Sequence, residues 1–174
     1  MSESCRNILE LEVFRVEESP PAAYYIPNFI SEGEEAYLLQ QVYGAPKPKW
    51  TQLSGRRLQN WGNVCMCLGV YERQRAWFCA AFSQEPALQT EEQRHFLSLL
   101  LKPRSLLVLR EDMYVRYLHG IRFITEDTVT KKVVNAALCG SQPGDRLQRG
   151  TRVSLTIRHV PKVLKTSIIL GKRK

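Results

Sequence analysis

Residues 149–160, Arg149-Gly-Thr-Arg-Val-Ser-Leu-Thr-Ile-Arg-His-Val160, form the clearest strand pattern in this chain of 174 residues. Alternate positions of this strand place two guanidinium groups and two hydroxyls on one face. Such a face can bind a dicarboxylate, because arginine holds a carboxylate as a planar, bidentate pair. Alternation alone, however, favours a solvated basic face on an antiparallel sheet, so both interpretations stay open. One face carries Val153, Leu155 and Ile157, and the other carries Arg152, Ser154, Thr156 and Arg158.

A second strand pattern precedes this one. Lys102-Pro-Arg-Ser-Leu-Leu-Val-Leu-Arg110 is apolar and ends at a Glu111-Asp112 turn, and residues 113–121 indicate its hairpin partner. His119 lies in that partner segment, between apolar neighbours. A lone histidine in a strand is more often a hydrogen-bonded core residue than a metal ligand, so this pattern alone does not make it a ligand.

The N-terminal part predicts a short strand followed by a helix. Residues 24–30 indicate the strand, and Ser31-Glu-Gly-Glu34 is a capping box, in which the two side chains bond each other's backbone amides. Leu38, Leu39 and Val42 then have the spacing of a buried helical stripe, and a glycine and two prolines end the helix.

Three other stretches give weaker signals. Residues 50–62 are rich in aromatic, basic and amide side chains and suit strand and loop better than helix. Residues 63–87 are apolar without a clear period, so no element is assigned to them. Residues 125–150 are polar and rich in turn residues, and Gly140-Ser-Gln-Pro-Gly-Asp145 predicts a mobile loop.

Composition indicates one domain, residues 1–174, with a cytoplasmic and nuclear location. No apolar run approaches the roughly 20 residues that span a bilayer, and the polar N-terminus is not that of a secretory signal. The five scattered cysteines suit reduced thiols. The net charge is −6 over residues 1–45, +3 over 46–101 and +11 over 102–174, which favours a polyanionic partner such as nucleic acid or a solvated basic surface.

Taken together, these patterns resemble a known enzyme family. A strand with His119-Gly120, followed by the arginine-bearing strand 149–160, is similar to the C-terminal half of the AlkB family of iron(II)/2-oxoglutarate dioxygenases. Residues 25–35 resemble that family's first strand and helix, and residues 49–62 resemble its substrate-side loop. The resemblance covers about residues 10–62 and 98–170.

This resemblance implies an α+β, mainly β fold, a partial double-stranded β-helix (jelly roll) with an N-terminal helix. It implies iron(II) and 2-oxoglutarate as cofactors and the oxidative dealkylation or hydroxylation of a nucleic-acid or protein substrate. By the same resemblance, His119 is an iron ligand, Arg152 pairs with the far carboxylate of 2-oxoglutarate, and Arg158 lies near the metal-side end of that pocket. The residues implied to meet the substrate, where a flipped base needs stacking and hydrogen-bonding partners, are Arg56, Arg57 and Trp61; an ordinary amphipathic hairpin would explain these three equally well.

The metal-binding part of the family pattern is missing. Such iron sites use two histidines and one carboxylate. The three histidines are His95, His119 and His159, and none has an Asp or Glu two positions later, so the chain contains no His-x-Asp or His-x-Glu. The Asn-x-Tyr strand that helps to hold 2-oxoglutarate in the family is also absent from the sequence.

Two other ligand sets are conceivable. His95 could act with Glu91 or Glu92, although the helical pattern of residues 90–95 is the wrong kind of element for this site. Alternatively, zinc could be held by Cys65, Cys67 and Cys79, although their spacing is not that of a zinc finger and a structural site needs four ligands.

We therefore expect residues 63–97 to be a divergent segment in place of the first iron-ligand strands, in an isoform that arises by alternative splicing. Such a chain would be inactive as a dioxygenase. The alternatives are a non-catalytic basic module that binds nucleic acid or a protein partner, and a non-productive isoform with exposed apolar surface.

Overall fold

The computed structural model describes residues 11–17, 19, 23–46, 50–53, 56–60, 65–71, 77–83, 90–121 and 124–158. Within these ranges the fold is mainly β with few helices, which confirms the α+β, mainly β class; the jelly roll stays an expectation. The helices are α1 (Glu32–Gly44), α2 (Glu91–Arg94), α3 (Glu111–Val115) and a 3-10 turn (Ala137–Cys139). The strands are β1 (Ala23–Ile26), β2 (Trp50–Leu53), β3 (Arg56–Asn60), β4 (Cys65–Tyr71), β5 (Trp77–Ser83), β6 (His95–Leu101), β7 (Leu106–Leu109), β8 (Tyr117–Gly120), β9 (Glu126–Thr128), β10 (Arg146–Gln148) and β11 (Arg152–Arg158).

All of the described strand pairs are antiparallel. One sheet has the order β11-β4-β3-β2 and another has the order β6-β5-β8. Two further pairs, β1 with β7 and β9 with β10, complete the described strands. The sheets therefore bring together segments that are far apart in sequence, such as β4 and β11.

Strand β6 lies at the centre of the core and is buried on both faces. Leu97, Leu99 and Leu101 pack with Tyr25 and Met113 in one apolar cluster. Each fully buried leucine contributes about 1.5–3 kcal/mol to the free energy of unfolding. On the other face of the strand, a second cluster is formed by Leu100, Val129, Val133 and Ala136.

The edge of β6 away from β5 is covered by an irregular segment rather than by a strand. The Ser98 amide donates to the Lys132 carbonyl (2.7 Å), and the Val134 amide donates to the Ser98 carbonyl (3.1 Å). The buried side chain of Asn135 then takes the place of a peptide group: its Oδ1 accepts from the Leu100 amide (2.7 Å) and its Nδ2 donates to the Leu100 carbonyl (2.8 Å). This segment satisfies backbone groups that burial would otherwise leave unpaired.

Helix α1 begins at the predicted capping box and packs on the sheet of β2 and β11. The Ser31 amide donates to the Glu34 carboxylate (2.8 Å), and the Glu34 amide donates to Ser31 Oγ (3.3 Å). The bonds that the Ser31 amide and the Ser31 hydroxyl donate to the Glu34 carboxylate hold the pKa of Glu34 below its usual range. Val42 is buried against Trp50 and Val153, which confirms the innermost residue of the predicted stripe; Leu38 and Leu39 are half-buried.

The predicted hairpin of residues 102–110 with 113–121 is wrong. Strand β7 pairs with β1, and residues 111–115 form helix α3 instead of a turn. Met113 in that helix is buried in the core, which draws the chain away from β7. Strand β8 pairs with β5 instead.

Two stretches without assigned structure contain regular elements. Residues 63–87 include β4 and β5, whose sequence patterns show no clear period. Residues 125–150 include β9, β10 and the 3-10 turn. In the loop predicted to be mobile, the Gly144 amide donates to the carbonyl of Val129, the residue that follows β9 (2.8 Å). Positive φ angles at Gly140 (60°) and Gly144 (101°) make glycine the natural residue there.

Across the part of the chain that the structure describes, none of the helices has the length and apolar character required to cross a membrane.

Replacement of Asn135 with Ala should lower the free energy of unfolding by about 2–3 kcal/mol, because two buried backbone groups of Leu100 lose their partner. Urea unfolding followed by circular dichroism would measure this change. Gln40→Ala on the exposed side of α1 is the matched control and should change stability by less than about 0.5 kcal/mol. A loss no larger than that of the control would show that Asn135 does not protect this edge.

Candidate active-site face and its ligands

The polar face of β11 is half-buried, whereas its apolar residues point outward over much of the strand. Arg152, Ser154 and Thr156 are partly buried, and Arg152 Nη2 donates to Ser154 Oγ (3.3 Å). On the other face, Leu155 is 47% exposed and Ile157 is 74% exposed. These three polar side chains are therefore only partly exposed. Both interpretations of this face, a binding face for a dicarboxylate and a solvated basic face, stay predictions.

Register places the second predicted arginine on the same face. Arg158 lies directly opposite Cys65, and Thr156 lies opposite Cys67, across the β11–β4 pair. Because directly opposed residues of an antiparallel pair share a face, these strand positions line one surface. The structure thus keeps both predicted 2-oxoglutarate arginines on one sheet face; whether they bind that cofactor stays a prediction.

His119 lies in β8, in a different sheet from the arginines. Its side chain is exposed, and Nε2 is 2.7 Å from the Met113 carbonyl oxygen. A carbonyl only accepts, so Nε2 carries the proton in this contact. A role for His119 as an iron ligand stays a prediction.

One histidine does not make an iron site. Among the side chains that the structure describes, which do not include those of Cys65, Cys67, Cys79, Glu91 and Glu92, no group of three His, Cys, Asp or Glu is placed to hold a metal ion. His95 begins β6, and its Nε2 is 2.9 Å from Ser98 Oγ. The alternative zinc set is divided between sheets, since Cys65 and Cys67 are in β4 and Cys79 is in β5. The described residues therefore do not fit the family's iron.

The residues implied to contact the substrate are only partly described. The Arg57 guanidinium carbon lies 4.8 Å from the centroid of the Trp50 ring, a cation–π contact on the side of the sheet that α1 covers. Arg56 is the first residue of β3 and, as its neighbour, occupies a position on the opposite face. Trp61 lies outside the described residues. A role in substrate binding for these three residues stays a prediction.

No sequence pattern predicts the buried ion pair that lies just before β11. The Arg149 guanidinium donates through Nε and Nη2 to the two carboxylate oxygens of Asp127, and both side chains are almost completely buried. The two residues are 22 positions apart and meet because β9 pairs with β10, so local patterns do not reveal them. Arg149 also donates its amide to the Thr125 carbonyl (2.9 Å). This pair fixes the chain three residues before Arg152.

Cys139 is the one cysteine whose side chain the structure describes. Its thiol is half-buried and lies 3.5 Å from the Leu100 carbonyl oxygen. Burial raises its pKa, and burial also raises the pKa of the neighbouring Tyr25 to about 12. A thiol that stays protonated is a weak nucleophile and a weak metal ligand, so this cluster is a part of the core.

Comparison with known proteins decides the family. No protein-family model matches the chain. The chain is 41% identical, over 234 residues that cover 99% of it and 100% of the relative, to a zebrafish (Danio rerio) protein named "Probable RNA/DNA demethylase ALKBH6". The chain belongs to the AlkB family.

The match also shows that this AlkB chain is shorter than its relative. The alignment spans 234 positions and the chain has 174 residues, so at least 60 positions, the difference between the two, hold no residue of this chain. Because nearly all of both proteins is covered, these positions lie within the alignment and not beyond its ends. An internal part of the relative therefore has no counterpart here.

Removal of either partner of the Asp127–Arg149 pair should cost about 3–5 kcal/mol of unfolding free energy, because the other charge stays buried without compensation. In urea unfolding, Asp127→Leu and Arg149→Met should each strongly lower the free energy of unfolding. The loss of unfolding free energy in the double variant should be much smaller than the sum of the two single losses. Glu126→Gln is the matched control, since Glu126 is paired with Arg146, whose side chain is 76% exposed. Additive losses in the double variant would contradict a coupled buried pair.

Proposed function

We propose that this chain is an AlkB-family protein that does not catalyse oxidative demethylation by itself. The observation that carries the proposal is the absence of any His-x-Asp or His-x-Glu from the whole sequence. A dioxygenase of this type needs two histidines and a carboxylate on one side of the iron, with positions left open for 2-oxoglutarate and oxygen. His119 alone supplies one of these three ligands, so no oxidation step is assigned to this chain.

Residues 63–97 are the segment that stands in place of the first iron-ligand strands under this proposal. The internal positions of the relative that have no counterpart here support a replacement of this kind. Strands β4 and β5 lie in the segment, and β4 pairs with all seven residues of β11. The arginine face thus has a hydrogen-bonded neighbour that brings no histidine or carboxylate to it, since β4 is Cys-Met-Cys-Leu-Gly-Val-Tyr.

The arginine face would still bind dicarboxylates weakly. Arg152 can form a bidentate pair with one carboxylate, and the half-buried site strengthens that interaction relative to bulk water. Without a metal to hold the other end of 2-oxoglutarate, much of the family's affinity for it would be lost.

Anaerobic titration with manganese(II) or iron(II), with and without 2-oxoglutarate, tests the proposal by calorimetry and thermal shift. We expect no stoichiometric metal binding and no increase of the melting temperature by metal, on protein that circular dichroism shows to be folded. The zebrafish relative is the positive control. Tight metal binding that depends on 2-oxoglutarate and is lost in His119→Ala and Arg152→Ala would overturn the proposal.

A second candidate function is nucleic-acid binding without turnover. Residues 102–174 carry a net charge of +11, and the relative is named as an RNA/DNA demethylase. In the described part of this half, several basic side chains are exposed to solvent, where phosphates could reach them. These are Lys102, Arg110, Arg116, Lys131, Lys132 and Arg146. The expected cytoplasmic and nuclear location would suit this function.

Affinity for a labelled single-stranded oligonucleotide should fall at least about 10-fold between 50 and 200 mM salt, because binding to phosphates releases counterions. Fluorescence anisotropy would measure this dependence. The double variant Arg110→Gln, Lys131→Gln should lower the log–log salt slope by up to about 2, whereas Arg15→Gln in the acidic N-terminal part should leave it unchanged. Binding that is independent of salt, or absent at 50 mM salt, would exclude this second function.

A further inference from the structure

The end of helix α3 has an exposed face with an apolar centre. Asp112, Val115 and Arg116 lie three and four positions apart, so their side chains share one face of this turn. Val115 is 70% exposed, and the side chains of Asp112 and Arg116 are 58% and 73% exposed. Tyr114 (41% exposed) and Leu118 (52% exposed) are close by in sequence. We call these five residues the α3 surface.

The α3 surface carries an acidic and a basic group side by side. Asp112 Oδ1 is 3.1 Å from Arg116 Nε, and the Arg116 amide donates to the Asp112 carbonyl (2.8 Å), which extends the helical turn to Arg116. An ion pair that is this exposed contributes little to stability. The two charges can therefore be exchanged for equivalent pairs with a partner at little cost.

The charge around this surface restricts the kind of partner that it fits. The whole chain has a net charge of +8, but residues 110–126 contain three arginines and three acidic residues and so have no net charge. Nucleic acid fits poorly, because Glu111 and Asp112 repel phosphates. A net charge of +8 makes two copies of the chain repel each other, and a neutral segment is where this repulsion is weakest.

The order of the charges also makes the surface self-complementary. When two identical helices pair antiparallel about a two-fold axis, a residue before the axis in one copy meets a residue after it in the other. An axis at Tyr114 is two positions from Asp112 and two from Arg116. Each Asp112 would thus meet the Arg116 of the other copy, and the two Val115 side chains would pack beside the axis, away from water.

We propose that the α3 surface joins two copies of this chain in a two-fold symmetric dimer. The surface is small, so the dimer is weak and depends on concentration. The apolar contact of the two valines supplies the affinity, and the two ion pairs select an antiparallel arrangement. This interaction requires neither iron, 2-oxoglutarate nor nucleic acid, so it stands apart from the proposed function.

Sedimentation velocity of the full chain over about 5–500 µM tests the proposal, because a weak dimer should appear as the concentration rises. Val115→Ser should lower the association constant at least about 10-fold, since each dimer loses two apolar contacts. Ile157→Ser is the matched control, because Ile157 is 74% exposed in β11, a strand of the other large sheet. This control should associate as the parent protein does.

Charge reversal tests whether the two charged residues meet across the axis. Arg116→Asp would place acidic residues opposite each other in the dimer, and Asp112→Arg would do the same with basic residues. Each variant alone should therefore sediment as a monomer, on protein that circular dichroism shows to be folded. An equimolar mixture of the two variants should form heterodimers, because each acidic residue then meets a basic one.

Four results would overturn the proposal. A parent protein that stays monomeric over the whole concentration range would exclude the dimer. Equal association constants for Val115→Ser and Ile157→Ser would place the contact elsewhere. A mixture of the two charge variants that stays monomeric would show that their charges do not meet. An oligonucleotide that binds the monomeric parent protein and loses affinity in Val115→Ser would identify nucleic acid as the occupant.

Discussion

The described fold depends on the burial of β6 on both of its faces and along its outer edge. A strand in this position needs an apolar layer above it, another below it, and a partner for every backbone amide and carbonyl. Tyr25, Met113 and their neighbours supply one layer, the residues around Val133 supply the other, and the Asn135 side chain closes the hydrogen bonds of Leu100. The segments around Tyr25, Met113 and Val133 come from three separate parts of the chain, so one buried strand ties them into a common core.

Helix α1 covers one face of the sheet that contains β11, but it covers only a part of that face. The helix covers Trp50 and Val153, and Gln59 Nε2 donates to the Val42 carbonyl (3.0 Å) at the C-terminal end of the helix. The cover does not extend to the far end of β11, where the apolar side chains meet solvent. The same strand therefore has partly buried polar side chains at Arg152, Ser154 and Thr156 on one face and an apolar face that α1 covers only in part.

The function that we propose would separate binding from chemistry within an enzyme family. An arginine pair for a dicarboxylate needs one strand in the correct register, and Arg152 and Arg158 occupy positions on one face of β11. An iron site needs three ligands held within a few ångströms, so under this proposal the replacement of one segment would remove two of them together. Identity of 41% across the chain therefore shows the AlkB family without showing the AlkB reaction in this chain.

The sequence alone determined features that depend on neighbouring residues: the capping box at Ser31 and Glu34, the alternation of β11, and the lack of a His-x-Asp pair. Tertiary structure decided the rest. The pairing of β7 with β1, the ion pair of Asp127 with Arg149, and the double burial of β6 join residues that are distant in sequence. The alternation of β11 predicted two faces but not how far each one is buried, because a period of two records the difference between the faces and not what packs on each of them.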